Sequence, residues 1–160
     1  MDNTMNQIYP IRLFVYGTAR SHQQHNKALL DAGAVLLQGV AEASGYSIIQ
    51  PNEFHVVADA LAMIPTPEDR PCVVMGELFA IKPEALVWLD KQNASRVVDR
   101  ALVEAKFYVL GKPAVEAAWA YMYAGPVKPG MRKYRSLYAY LDAQRQENFQ
   151  NAAIHHDTWD

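Results

Sequence analysis

The sequence predicts an α+β domain built around a curled, mainly antiparallel sheet with few, short helices. Strand-like runs are numerous, and several follow one another with no helix between them. Only three stretches carry a helical pattern, and all are short. A doubly wound nucleotide-binding fold would instead alternate strand and helix. The length of 160 residues fits one domain. We place it over residues 1–150, with a loose tail over 151–160.

Ile11 to Tyr16 is a short apolar run stopped by Gly17, as a buried strand would be. Asn26 to Ala32 reads as a short helix with Gly33 as its C-cap, since glycine reaches the left-handed backbone without strain. Val35 to Gln50 carries strand-like residues interrupted at Gly39 and Gly45. Phe54 to Ile64 reads as another strand or hairpin arm, and Pro65 to Pro71 as a loop. Cys72 to Ile81 is a strand with Gly76 inside it, which signals a bulge or a close backbone approach. Pro83 suits the first position of a helix that continues over Glu84 to Gln92, with Leu86 and Leu89 on one face. Val97 to Leu110 and Ala114 to Tyr123 are two long strands joined at Gly111-Lys112-Pro113. Lys133 to Asn148 is expected as a final helix.

Composition narrows the function. Hydrophobic residues make up 51% and charged residues 20%, an ordinary globular mixture. The net charge of -2 offers no basic face for nucleic acid or an anionic membrane. The short run Arg132-Lys133-Tyr134-Arg135 reads as a solvated helix start. Cys72 is the single cysteine, so no internal disulfide and no cysteine zinc site can form, and its apolar neighbours predict a buried small hydrophobe. Met1 to Tyr9 lacks a signal-peptide core, and no apolar run approaches a membrane span. A cytoplasmic chain is expected. His22 and His25 lack the carboxylate or cysteine company of a metal site and read as surface residues, and His155-His156-Asp157, at the end of a loose tail, reads as solvated. No cofactor is implied.

One segment suits a small anion. In Tyr16-Gly17-Thr18-Ala19-Arg20-Ser21 a glycine follows a buried strand and lets the chain turn, exposing successive backbone N–H groups. Thr18 and Ser21 add hydroxyls. Without a glycine-rich Lys-Ser/Thr loop, a carboxylate fits better than a phosphate chain.

Taken together, Phe14-Val15-Tyr16-Gly17-Thr18, then Met75-Gly76-Glu77-Leu78-Phe79, then Leu89-Asp90, then Arg100 ahead of Leu102-Val103-Glu104, and Ala120-Tyr121 resemble the γ-glutamylcyclotransferase-like (AIG2-like) family in order and spacing. The resemblance covers about Arg12 to Tyr134. It implies a small mixed, mainly antiparallel β-barrel flanked by short helices. It also implies a small-molecule substrate whose γ-glutamyl α-amine attacks its own side-chain carbonyl, releasing 5-oxoproline and an amine. Tyr16, Gly17, Thr18 and Ala19 would hold the glutamyl carboxylate, and Tyr134 would lie over the substrate.

The base departs from that pattern. Where members read Leu-Asp-x-x-Glu, this chain reads Leu89-Asp90-Lys91-Gln92-Asn93, followed by Ala94 in place of glycine. An amide cannot take a proton near neutral pH. Removing a positioned general base costs on the order of 10²–10⁴-fold in rate. Val98 stands where members often carry an aromatic residue before the arginine. Asp90 is the candidate substitute, one helical turn before Asn93, although a cap or turn role also fits it. Glu77, expected to be structural and paired with Arg100, and Asp99, expected to be exposed, are the further acids. Altered catalysis and non-catalytic metabolite binding are the two readings the sequence leaves open.

Overall fold

A computed structural model of the chain describes residues 3–16, 26–50, 62–66, 72–94, 98–125 and 132–134. The elements run α1 (Asn3–Ile8), β1 (Ile11–Val15), α2 (Asn26–Asp31), β2 (Val35–Ser44), β3 (Tyr46–Gln50), β4 (Ala62–Pro65), β5 (Val73–Ile81), α3 (Pro83–Asn93), β6 (Val98–Val109), β7 (Lys112–Tyr123) and β8 (Arg132–Tyr134). One sheet contains all eight described strands in the order β1-β5-β2-β6-β7-β4-β3-β8. An additional β7–β1 pairing, Leu13 opposite Trp119, closes the first five into a barrel. Closing an odd number of alternating strands leaves one pair running the same way. That pair is β1–β7, and the other four barrel pairings are antiparallel. β4, β3 and β8 extend the sheet beyond β7.

Strand alternation sorts the core into two layers. Phe14, Ala41, Val74, Leu78, Val103, Ala105, Ala118 and Ala120 come from all five barrel strands and fill its interior. Leu13, Val15, Phe79 and Ile81 face the other way and pack beneath Leu29 of α2 and Ala85 and Leu86 of α3. Each large apolar side chain buried this way stabilises the fold by about 1.5–3 kcal/mol. α3 starts at Pro83, with Glu84 in its first turn and Lys91 in its last, matching the helix dipole at both ends. No described helix is long and apolar enough to cross a membrane.

The glycines act where the chain demands them. Gly33 adopts φ +92 after α2, and the N–H groups of Gly33 and Ala34 return to Leu30 and Leu29. Gly45, at φ +87, divides the expected Val35–Gln50 run into β2 and β3. Gly39 does not end β2; the register against β5 shifts between Gln38 and Ala41 instead.

Several expectations are corrected. Residues 133 and 134 belong to strand β8, paired with β3, because Arg132, Lys133 and Tyr134 complete the sheet edge opposite Gln50, Ile49 and Ile48. The rest of the expected final helix, the tail and residues 54–61 lie outside the described residues. Cys72 is partly exposed, since it precedes β5 instead of lying within it. α1 was not legible in the sequence. Arg12 secures that segment, donating from Nη2 to Asn6 Oδ1 (2.6 Å), from Nη1 to Tyr9 O (2.9 Å) and from Nε to Glu116 (3.0 Å). The β6–β7 connection is a two-residue turn, Leu110-Gly111, with φ +51 and +78. Both positive angles fit the mirror-image turn that suits strand twist, but leucine pays about 1 kcal/mol or more for that conformation.

Gly76 is a close approach. A Cβ there would stand 2.5 Å from the Val15 carbonyl oxygen and 2.7 Å from Cζ of Phe14. Gly76→Ala must therefore displace the end of β1 just before Tyr16 and Gly17. The expected cost is about 1–3 kcal/mol. For a chain of this size that lowers Tm by about 2–4 °C per kcal/mol in thermal unfolding. An unchanged Tm would show that β1 can shift freely here.

Candidate functional site

α3 docks through Ala85 and Leu86, and this fixes where its last turn points. Asp90 lies in that turn against the outer face of β6 and β7. There Arg100 and Tyr121 stand directly opposite each other across the hairpin. Arg100 donates from Nε to Asp90 Oδ1 and from Nη2 to Oδ2, both at 3.1 Å. Tyr121 Oη donates to Asp90 Oδ1 at 2.7 Å. The Arg100 guanidinium also lies 4.4 Å over the Trp119 ring, two residues before Tyr121 on the same strand. The two-point guanidinium–carboxylate pair is charge-assisted and directional, and the indole face attracts the same cation. Asp90 thus ties the helix to both strands of the hairpin. Burial raises the Tyr121 phenol above its ordinary value, and the Asp90 hydrogen bond and charge push it the same way.

Asn93 is the last residue of α3 and is partly exposed. Its Nδ2 donates to Leu89 O at 2.9 Å, satisfying one of the helix's terminal carbonyls. One N–H and Oδ1 remain without a partner among the described residues.

Tyr16 directly follows β1 with its ring in the barrel interior, stacked on Phe14 at 6.3 Å. Its hydroxyl donates to the Tyr121 carbonyl and accepts from the Met63 N–H at 2.9 Å. That places it at the junction of β7 and β4, where Met63 pairs with Met122. The phenol therefore serves the core, while its main chain leads into the next segment. Gly17, Thr18 and Ala19 lie outside the described residues, as do His22, His25, His155, His156 and Asp157. Tyr134 is opposite Ile48 by backbone pairing.

The sequence expectation that Arg100 pairs with Glu77 is corrected: its guanidinium is committed to Asp90. Glu77 is buried in β5, and Asp99 is exposed. Among the described residues no cluster of His, Cys, Asp or Glu is arranged to hold a metal. The sequence reading placed Tyr121 in the family pattern without a site role and missed Trp119. Their signal lay in the hairpin register, which the turn sets.

Comparison with known proteins adds the following. A family model described as gamma-glutamyl cyclotransferase, AIG2-like, matches residues 13–159. The structure is similar to an AIG2-like protein of Mus musculus, with TM-score 0.53 and 20% identity over 73% of this chain and 79% of that one. It is also similar to an uncharacterized protein of Pyrococcus horikoshii, with TM-score 0.58 and 16% identity over 88% and 97% of the two chains. A third similarity is to YkqA of Bacillus subtilis, with TM-score 0.53 and 22% identity over 71% of this chain and 35% of that one. The chain thus spans about a third of YkqA. At these identities the likenesses establish the fold. No protein with a curated description matches the sequence.

The Tyr121–Asp90 contact has a pH signature. A phenol held above its ordinary value near 10 stays protonated in the fold after the unfolded chain has ionised. Its contribution is fully present below pH ~10 and is lost as pH rises above it. Urea unfolding of the native chain and Tyr121→Phe from pH 8 to 11 should show the gap between them narrowing above pH ~10. A constant gap would contradict the raised phenol.

Proposed function

Because the chain belongs to the AIG2-like gamma-glutamyl cyclotransferase family, we propose that it takes a small γ-glutamyl or related amine-bearing carboxylate and acts on it with altered catalysis. The observation carrying this reading is the last turn of α3. There the acid Asp90 has both oxygens engaged by Arg100 and Tyr121, and by the sequence resemblance Asn93, one turn later, falls where members carry the general base. The reaction needs a carboxylate-holding loop, a proton acceptor for the α-ammonium and donors for the developing oxyanion. In this proposal Tyr16, Gly17, Thr18 and Ala19 supply the loop, and Tyr134 covers the substrate. The α-nitrogen forms a bond to the side-chain carbonyl carbon, the original amide bond breaks, and the leaving amine takes up a proton. Asn93 cannot accept the ammonium proton. Its remaining N–H and its Oδ1 suit it to orient substrate or meet an oxyanion, with water or another carboxylate carrying the proton.

The alternative reading is a non-catalytic relative that binds the same class of metabolite as a sensor, carrier or scaffold. The engaged state of Asp90 favours it, because it leaves the last turn of α3 without an uncommitted carboxylate.

The test is 5-oxoproline release, followed by mass spectrometry, from a panel of γ-glutamyl amines and amino acids. The native chain is run beside Asn93→Glu. The expected result is release by Asn93→Glu that exceeds the native rate by on the order of 10²–10⁴-fold. Equal release by both chains would mean that another group is the base. Silence from both would overturn the γ-glutamyl substrate.

A further inference from the structure

The outer face of the β6–β7 hairpin is exposed, and it is mostly apolar. Val103, Ala105 and Phe107 point into the barrel, so Leu102, Glu104, Lys106 and Tyr108 point out of it. Across the ladder Ala117 lies opposite Glu104, and Val115 opposite Lys106. Leu102 is 57% exposed, Tyr108 59% and Val115 56%, and Ala117 is exposed beside them. Leu110 at the tip is 98% exposed and holds a left-handed backbone that a leucine rarely adopts. A contiguous exposed apolar face marks an interaction site. At its centre stand Glu104 and Lys106, neither in an ion pair among the described residues, and Glu42 of β2 is opposite Lys106 across the adjoining ladder.

We propose that this face binds a second copy of the chain about a two-fold axis lying in the contact plane and crossing the strands at Ala105 and Glu116. Those two residues are opposite each other in the ladder. The rotation lays β6 of one copy on β6 of the other in the reverse direction. Glu104 of each copy then meets Lys106 of the other, and Leu102 meets Tyr108. On β7, Val115 meets Ala117. Each of these six outward residues thereby finds a partner of matching character, as a two-fold interface requires. The charges act chiefly on register and partner choice, and the apolar rows supply the adhesion. A partner of single charge sign, or a lipid surface, would satisfy one of the two central charges and oppose the other. A copy of the same face satisfies both.

The test uses the full chain in sedimentation equilibrium over a concentration series. The native chain should rise from the monomer mass toward twice that mass. Glu104→Lys brings like charges together across the axis, and so does Lys106→Glu. Each variant alone should stay monomeric at concentrations where the native chain pairs. Mixing the two variants in equal amounts restores both opposite-charge contacts, so the mixture should associate one to one. That last result cannot come from misfolded chains. The proposal is overturned if the native chain is monomeric throughout, if its dimer survives both single changes, or if the mixed variants do not associate.

Discussion

The end of α3 depends on the contact between Asp90, Arg100 and Tyr121. Apolar burial of Ala85 and Leu86 holds the helix on the barrel, but such contacts are not directional. The carboxylate is directional. It accepts from two points on a rigid guanidinium and from a phenol, all carried by paired strands. The ion pair is partly exposed, at 40% for Asp90 and 29% for Arg100, so solvent weakens its Coulomb term. Geometry is therefore its main contribution. It fixes the rotation of the last turn and, with it, where Asn93 stands.

Tyr16 is the second point of control. Its hydroxyl sits between the barrel and the added strands, accepting from Met63 on one side and donating to the Tyr121 carbonyl on the other. Tyr121 thus touches both arrangements, through its carbonyl on one and its phenol on the other. Tyr16, at the end of β1, and the last turn of α3 are tied to the same residue of β7. Gly76 belongs to this arrangement as well, because the space it leaves is filled by Phe14 and the Val15 carbonyl.

Much of this was legible in the sequence, and the exceptions have physical causes. Strand-like runs bounded by glycine and proline, and the Pro83 start, identified the sheet and α3. Gly76 was read as a bulge or a close approach, and it is a close approach. The hairpin was misread at its turn. A loop over Gly111-Lys112-Pro113 shifts the register by three residues and separates Arg100 from Tyr121. The true turn uses Leu110, a residue that seldom takes a positive φ, so no turn signal marked it. With the register lost, Arg100 could not be placed on Asp90, and Glu77 was the nearest plausible partner. The strand at Lys133 and Tyr134 was missed for a different reason. It forms only by pairing with β3, a contact distant in sequence, while its local pattern suits a helix. The family resemblance, by contrast, rests on short motifs that need no register, and it agrees with the match over residues 13–159.

The most direct measurement is a double-mutant cycle between Asp90→Ala and Tyr121→Phe, followed by urea unfolding at neutral pH. If Asp90 is the directional tie between α3 and the hairpin, the two changes are coupled by about 0.5–3 kcal/mol. Strict additivity would mean that the helix is held by apolar burial alone, and that the orientation of Asn93 does not depend on Asp90.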